Sequence, residues 1–108
     1  MNRVYVFLAD GFETVEALAP VDVMRRAGLQ VTTVSIMGRS NVESAQGVVV
    51  MADELFDNIA FDDADALVLP GGGVGTENLS AHEPLCAQLA GACSRGVLVA
   101  AICAAPMV

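Results

Sequence analysis

The chain has 108 residues, enough for one domain, and 55% hydrophobic residues with a mean hydropathy of +0.59 exclude an intrinsically disordered protein. A net charge of -8, with five arginines and not one lysine, argues against a nucleic-acid surface and against an acidic membrane leaflet as partner. No apolar run is long enough to cross a bilayer and no signal-peptide pattern is present, so a reducing cytoplasm is the expected location.

The first part of the chain has the pattern of a strand, a helix and a second strand. Arg3–Ala9 is an almost continuous apolar run that predicts a buried strand. Glu13–Ala27 has apolar residues at helical spacing; Pro20 is expected to kink or split this helix, and Gly28 to end it. Gln30–Ile36 is rich in β-branched residues and predicts the second strand.

The middle of the chain is less regular. Met37–Gln46 is polar and predicts a loop, and Gly47–Ala52 predicts a short peripheral strand. The acidic segment Asp53–Asp65 shows no periodicity. Ala66–Leu69 then predicts a third buried strand, and the glycine-rich segment Pro70–Gly75 predicts a turn.

A second helix and a fourth strand complete the pattern. The helix is predicted to begin at Ser80 or Glu83 and to end at Arg95, and the buried strand covers Val97–Ile102. Strands that alternate with helices predict an α/β fold, a parallel sheet with helices on both faces. We expect residues 1–108 to form one such domain, incomplete because the chain stops where the next helix should begin.

Cys103 is the strongest candidate for chemistry. It directly follows the last predicted strand, and small residues follow it, which is the pattern of a nucleophile elbow on a sharp strand-to-helix turn. The amides at the start of the following helix would lower the pKa of its thiol. A buried structural cysteine at a strand end is the alternative, because the letters differ from G-x-S-x-G.

The glycines Gly71, Gly72 and Gly73 follow another predicted strand. In open α/β sheets, sites lie beyond the carboxyl ends of the strands, and glycine lets a backbone amide approach a ligand closely. A simple turn is one alternative. A dinucleotide loop is the other, but the third glycine of G-x-G-x-x-G would fall at Thr76.

Two acids lie in the first turn of the first predicted helix, at Glu13 and Glu16. Acids at a helix start commonly just complement the helix dipole. One of them could instead reach the crevice, donate a hydrogen bond to a thiolate and shuttle a proton.

The remaining candidates are weaker. His82, the only histidine, lies among polar residues at a helix start, so we expect a surface side chain and no Cys–His dyad. Cys86 and Cys93 are expected to be small core residues rather than a redox pair. The cysteine spacing fits neither a disulfide framework nor a zinc site, so no metal is expected.

Four segments together resemble the ThiJ/PfpI superfamily, in order and at matching spacing along the whole chain. They are most similar to the branch of the Parkinson-disease-associated protein deglycase and the bacterial ThiJ/YajL proteins. The segments are A-D-G-F-E-T-V-E-A (Ala9–Ala17), P-V-D-V-M-R-R-A-G (Pro20–Gly28), L-P-G-G (Leu69–Gly72) and A-A-I-C-A-A-P (Ala100–Pro106).

The resemblance implies a flavodoxin-like fold, similar to class I glutamine amidotransferases and truncated here after the elbow, with no metal or organic cofactor. It identifies Cys103 as the reactive cysteine and Glu16, not Glu13, as the protonated glutamate that hydrogen-bonds it. Three residues match the backbone of the oxyanion-type pocket: Gly71, Gly72 and Ala104.

The resemblance also implies partners. The family is usually homodimeric, with Pro20–Gly28 near the dimer interface, and the C-terminal remainder of the same domain would cover this part. Gln46 stands where many relatives carry an arginine that reaches toward the partner subunit's site, which puts an anion-binding role there in doubt. Met51 stands where some relatives have a second oxidisable cysteine.

Two functions follow from this resemblance. The first is a glutathione-independent glyoxalase III or protein deglycase: Cys103 forms a hemithioacetal with methylglyoxal, glyoxal or an early glycation adduct, and Glu16 moves the proton. The alternative is an oxidative-stress redox sensor or holdase chaperone that uses an oxidisable Cys103. An amidase or protease is disfavoured, because Ala104 stands where the PfpI branch has a histidine.

Overall fold

A five-stranded parallel sheet organises residues 2–102, the part of the chain that the structure, a computed structural model, describes. The strands of this part are β1 (Arg3–Leu8), β2 (Gln30–Ser35), β3 (Asn41–Glu43), β4 (Val49–Met51), β5 (Glu54–Leu55), β6 (Ala66–Leu69) and β7 (Leu98–Ala101). The helices are α1 (Thr14–Arg26), α2 (Gly73–Ala81) and α3 (Glu83–Ser94), with 3-10 turns at Phe56–Asn58 and Phe61–Asp63. The sheet order is β5-β2-β1-β6-β7, and β3 and β4 form a separate antiparallel hairpin.

The central strand β1 contributes to two hydrophobic cores, because its successive side chains point to opposite faces of the sheet. One core joins alternate residues of β1 to α1: Val4, Val6, Leu8, Ala17 and Val21. The other joins the intervening residues to α2 and α3: Tyr5, Phe7, Leu79, Leu85 and Ala92. The predicted flavodoxin-like α/β fold, with helices on both faces of a parallel sheet, is confirmed.

The first helix is confirmed, and it passes through Pro20 without a break. The predicted split is therefore wrong. Proline removes only its own amide from the helix ladder, and the burial of Ala17 and Val21 against the sheet holds the helix together. Gly28 adopts a φ of 88° directly after the C-cap residue Ala27, so it ends the helix as predicted.

The helix predicted to start at Ser80 or Glu83 is confirmed as α3, and a further helix, α2, precedes it. α2 begins at Gly73, inside the segment predicted as a turn. Its glycines have low helix propensity, but the burial of Leu79 in the core outweighs that preference. His82 then ends α2 and caps α3, so the second helix does begin at Glu83.

The middle of the chain contains more structure than its sequence predicts. The predicted loop Met37–Gln46 includes β3, whose Val42 is fully buried. The predicted peripheral strand Gly47–Ala52 is confirmed as β4, and it pairs with β3 outside the parallel sheet. The acidic segment Asp53–Asp65 contains β5 and both 3-10 turns, whose aromatic rings pack on the central strand.

Candidate active site

The strand order creates a crevice at the carboxyl ends of β1 and β6. After β1 the chain crosses to β2 on one side, and it later returns to β6 on the other side of β1. Open α/β sheets bind ligands at such a switch point. The loop that follows β1 and the glycine-rich loop that follows β6 meet here, as the sequence predicts.

These two loops are in backbone contact, and glycines allow them to approach. The amide of Glu13 donates to the carbonyl of Gly71 at 2.9 Å, and the amide of Gly75 donates to the carbonyl of Gly11 at 3.2 Å. Gly72 has a φ of 107°, and a Cβ there would collide with the Gly11 carbonyl oxygen. A Cβ on Gly75 would lie 2.9 Å from the backbone of Phe12, in the loop that follows β1. The glycines are therefore required for the shape of the crevice.

Glu16 brings a carboxylate to this crevice. It lies half-buried in the first turn of α1, and its Oε1 accepts a hydrogen bond from the Gly71 amide at 3.1 Å. The side chain of Glu13 is used elsewhere, since it accepts a hydrogen bond from Nε2 of Gln46. Of the two candidate acids, Glu16 is the one whose carboxylate contacts the glycine-rich loop. A substrate oxygen at the Gly71 amide would have to displace that carboxylate.

Cys103 and Ala104 lie outside the described residues. The strand that leads to them ends beside the crevice, because the amide of Ile102 donates to the carbonyl of Leu69 at 3.3 Å. Leu69 is the last residue of β6 and lies two residues before Gly71. The carboxyl ends of β6 and β7 are thus adjacent, as the sequence predicts for the two strand ends.

A polar network at the start of α1 was not expected from the sequence. Thr14 Oγ1 lies 2.6 Å from Ser44 Oγ and 2.8 Å from Gln46 Oε1. Ser44 is buried in the turn between β3 and β4, although the sequence places it in a polar loop. Polar residues in that loop are the one signal that could have indicated it, and they do not specify a partner.

Asp10 holds the other side of the loop that follows β1. Its carboxylate pairs with Arg39 and accepts a hydrogen bond from the Glu43 amide at 3.1 Å. Burial by itself would raise the pKa of Asp10, but the hydrogen bonds from Arg39 and from the Glu43 amide outweigh it and hold the pKa below its usual value. The loop therefore carries a fixed negative charge that is already paired.

His82 lines a separate cavity of about 300 Å³, together with Met37, Leu55 and Phe56. Its Nδ1 accepts a hydrogen bond from the Leu85 amide at 3.2 Å, and its ring meets Phe56 edge-on with 4.8 Å between centroids. The helix-start position is confirmed, but the expected surface position is wrong, because the ring is half-buried. Burial lowers the pKa of His82, and Asp57 partly opposes this.

Cys86 and Cys93 differ in their surroundings. Cys86 is half-buried, and its thiol donates to the Ser80 carbonyl at 3.6 Å. Cys93 is exposed, so the expectation that both are core residues is wrong for Cys93. The reason is the orientation of α3, which turns Ala92 rather than Cys93 into the core.

Within residues 2–102 the chain offers neither a metal centre nor a membrane span. No group of three or more His, Cys, Asp or Glu side chains converges in this part of the structure. None of the helices α1, α2 and α3 is both long enough and apolar enough to cross a bilayer. The described portion of the site consists of one carboxylate and the backbone of two loops.

Comparison with known proteins gives consistent matches. A profile of the DJ-1/PfpI family matches residues 2–108. The chain is 40% identical over 106 residues to the Parkinson disease protein 7 homolog of Danio rerio, covering 97% of this chain and 56% of that protein. It is 33% identical over 106 residues to a protein named deglycase from Thermococcus kodakarensis, covering 98% of this chain and 63% of the relative.

Solved structures of similar proteins share the fold. The structure of oxidised DJ-1 from Toxoplasma gondii matches with a TM-score of 0.94 at 35% identity, covering 98% of this chain and 58% of that one. DJ-1beta from Drosophila melanogaster matches with a TM-score of 0.94 at 36% identity, covering 98% and 57%. The chain therefore spans little more than half the length of these relatives.

Proposed function

The chain belongs to the DJ-1/PfpI family, and on that premise we propose that the full-length protein is a cysteine-dependent, glutathione-independent glyoxalase III and protein deglycase. The observation that carries the proposal is the contact of Glu16 with the Gly71 amide, 3.1 Å long, at the switch point of the sheet. It supports the proposal because a group that can carry a proton contacts the loop after β6, and β6 pairs with β7, the strand that leads to Cys103. The relative named deglycase supports the same chemistry.

In this reaction the Cys103 thiolate adds to the aldehyde carbon of methylglyoxal, and the carbonyl oxygen takes up a proton to give a hemithioacetal. Glu16 then removes the proton from this carbon while the ketone oxygen takes up a proton, which gives an enediol. Glu16 returns its proton to the second carbon, and the hydroxyl of the first carbon loses its proton. The first carbon is oxidised to a thioester while the second is reduced to an alcohol, so no external oxidant or reductant is needed. Water cleaves the thioester to lactate and restores the thiol; glyoxal gives glycolate by the same route.

The oxyanion formed on sulfur addition needs donors, and we assign this role to the amides of Gly71, Gly72 and Ala104. The Gly71 amide becomes available when Glu16 turns from it toward the reacting carbon. Early glycation adducts on Cys, Lys or Arg side chains present a similar carbonyl group. We therefore include glycated proteins among the substrates.

The test is to incubate the full-length protein with methylglyoxal in the absence of glutathione and to measure lactate. We expect Cys103→Ser to abolish lactate formation. Cys86→Ser and Cys93→Ser are matched controls, because their thiols lie on α3, and they should retain turnover. Unchanged turnover in Cys103→Ser would remove the proposed mechanism.

A second candidate is a redox sensor or holdase chaperone, and the similarity to a relative solved in an oxidised form favours it. Here hydrogen peroxide oxidises the Cys103 thiolate to sulfenic acid and a second equivalent gives sulfinic acid, each step releasing water. Mass spectrometry after peroxide treatment, together with the lactate assay, separates the two candidates. Oxidation at Cys103 without any lactate formation favours the sensor.

We also propose that the protein is a cytoplasmic homodimer. Its exposed apolar side chains include Val15 on α1 and Val49 and Met51 on β4, with 74%, 58% and 74% of their surface accessible. Thr14, the neighbour of Val15, bonds Gln46 in the turn of the β3–β4 hairpin, so α1 and the hairpin are joined there, and we propose their exposed apolar side chains as the surface for a second copy. A reducing compartment keeps Cys103 as a thiol. Sedimentation of the full-length protein as a monomer would contradict the dimer.

A further inference from the structure

We propose that Gln46 is a positioning residue for Glu16, acting from the β3–β4 hairpin through the start of α1. The proposal rests on the proposed role of Glu16 in proton transfer. It concerns a side chain that does not itself contact the reacting atoms.

The start of α1 lacks a cap from its own N-cap residue. Glu13 occupies that position and makes no side-chain hydrogen bond to the helix amides. Gln46 supplies the missing acceptor from 32 residues away, since its Oε1 accepts from the Thr14 amide at 3.2 Å. Its Nε2 donates to the carboxylate of Glu13. The first amides of a helix need acceptors from outside the helix, and such caps stabilise the first turn.

The hairpin that carries Gln46 is itself anchored. Ser44 is buried, and its Oγ accepts from the amide of Gln46 at 3.3 Å and from the amide of Val48 at 3.1 Å. The Ala45 amide donates to the carbonyl of Phe12 at 2.8 Å, which joins the hairpin turn to the loop that precedes α1. Gln46 is therefore held by its backbone while its side chain reaches the helix.

The first turn of α1 is also the element that aims Glu16. Its N-cap amide, on Glu13, donates to the Gly71 carbonyl, and its Glu16 carboxylate accepts from the Gly71 amide. A shift of this turn therefore moves the carboxylate relative to Gly71 and to the end of β7. Misplacement of a catalytic group by about 1 Å can cost on the order of a hundredfold in rate.

The chemistry of the carboxamide suits this role. A glutamine side chain both accepts and donates, so it can cap Thr14 and hold Glu13 at the same time. An arginine at position 46 could donate to Glu13 but could not accept from the Thr14 amide. A polar side chain at position 46 is therefore not sufficient, because the helix start is capped only when that side chain can accept a hydrogen bond.

The test uses Gln46→Met in the full-length protein, which keeps the side-chain length and removes the side-chain hydrogen bonds to Thr14 and to Glu13. Because Gln46 is exposed, the change opens no cavity. We expect faster hydrogen exchange of the Thr14 amide, a raised thiol pKa at Cys103, and a kcat lowered about tenfold with little change in KM. Gln30→Met at the start of β2, where the glutamine is likewise exposed, is the matched control and should change none of these.

A double variant that exchanges the hydrogen-bond donor and acceptor distinguishes a loss of positioning from a general loss of stability. Gln46→Glu combined with Glu13→Gln exchanges donor and acceptor, and it should restore the thiol pKa and kcat. Gln46→Glu without the second change brings two carboxylates together and should not restore them. Unaltered Thr14 exchange or an unaltered thiol pKa in Gln46→Met overturns the proposal. If the parent protein consumes no methylglyoxal, the proposed function fails, while amide exchange and thiol pKa still decide the role of Gln46.

Discussion

At the scale of single residues, a hydrogen bond from the Gly71 amide orients the side chain of Glu16. Its Oε1 accepts from the Gly71 amide at 3.1 Å, so its side chain spans the distance between α1 and the glycine-rich loop. Glutamine at this position keeps the length and the accepting oxygen, whereas aspartate is one methylene shorter and withdraws. The length of the side chain and its ability to carry a proton can therefore be tested separately.

We predict that Glu16→Asp raises the thiol pKa of Cys103 more than Glu16→Gln does, because the amide can still donate a hydrogen bond to sulfur. Glu16→Gln removes the group that carries the proton and Glu16→Asp withdraws it from the reacting carbon, so kcat should fall about a hundredfold or more in each. Thiolate absorbance as a function of pH gives the first quantity, and lactate formation gives the second. A larger thiol pKa change in Glu16→Gln would contradict the proposed hydrogen bond.

His82 gives a second prediction at this scale. Its neutral Nδ1 caps α3, and burial lowers its pKa, so the folded state prefers the neutral ring. For a histidine with a lowered pKa, the unfolded chain binds the proton first as the pH falls. The stability from His82 is thus fully present above about pH 6.5 and decreases below it, toward the lower pKa of the folded state.

The measurement compares urea unfolding of the parent protein with His82→Asn at several pH values. Asparagine is a good N-cap that does not titrate. The loss of the Phe56 ring contact lowers stability equally at every pH, so the slope and not the absolute value is the readout. We expect the parent to lose stability between about pH 7 and about pH 5 that the variant keeps. Parallel pH profiles would rule out this role.

At the scale of elements, the contact between the two crevice loops leads to a prediction about adjacent glycines. Gly72 has a φ of 107°, and an added Cβ would collide with the Gly11 carbonyl. Gly73 begins α2, and a Cβ there would meet nothing within 4 Å. We predict that Gly72→Ala destabilises the fold by roughly 1–3 kcal/mol, whereas Gly73→Ala is neutral or stabilising by roughly 0.5–1 kcal/mol. Thermal unfolding checks both, and equal effects would refute the loop geometry.

The same scale shows what could be predicted from the sequence. The strands β1, β2, β6 and β7 and the helix α1 follow from apolar runs and helical periodicity, which are local signals. The predicted burial of the last strand is wrong within residues 2–102, because β7 lies at the end of the sheet order and three of its four residues are exposed. α2 was missed because its segment Gly73–Ala81 is glycine-rich, and only the burial of side chains such as Leu79 stabilises it. β3 was missed because a three-residue strand with one buried residue, Val42, has no measurable period.

The candidate site likewise has one part that could be predicted from the sequence and one part that could not. Glu16 and Gly71 were identified in the sequence, because strand ends in a parallel sheet converge and because their motifs match a family. The bonds that join Thr14 to Ser44 and Gln46 could not be predicted, since they link positions 30 and 32 residues apart. They depend on the conformation of the hairpin turn, which no periodic pattern encodes.

At the scale of the whole molecule, the centre of the sheet and its β7 edge are unequally covered. β1 is buried on both faces, whereas β7, at the end of the sheet order, exposes 65% of Leu98, and Ile102 just beyond it is 40% exposed. Among residues 2–102, β7 pairs with β6 on one side and with no strand on the other. Exposed apolar side chains beside an open strand edge favour association between chains.

We therefore predict that residues 1–108, expressed as a separate polypeptide, do not form a stable soluble monomer, while the full-length protein does fold. The expected result in size-exclusion chromatography is aggregate or higher oligomer. Leu98→Glu should raise the soluble fraction of the short polypeptide, because a charge on an exposed edge strand opposes pairing. Val74→Glu, which places the same charge at a similarly exposed apolar residue on α2, serves as the control. A cooperative thermal transition from a soluble monomer of residues 1–108 would show that these residues are stable without further cover on β7.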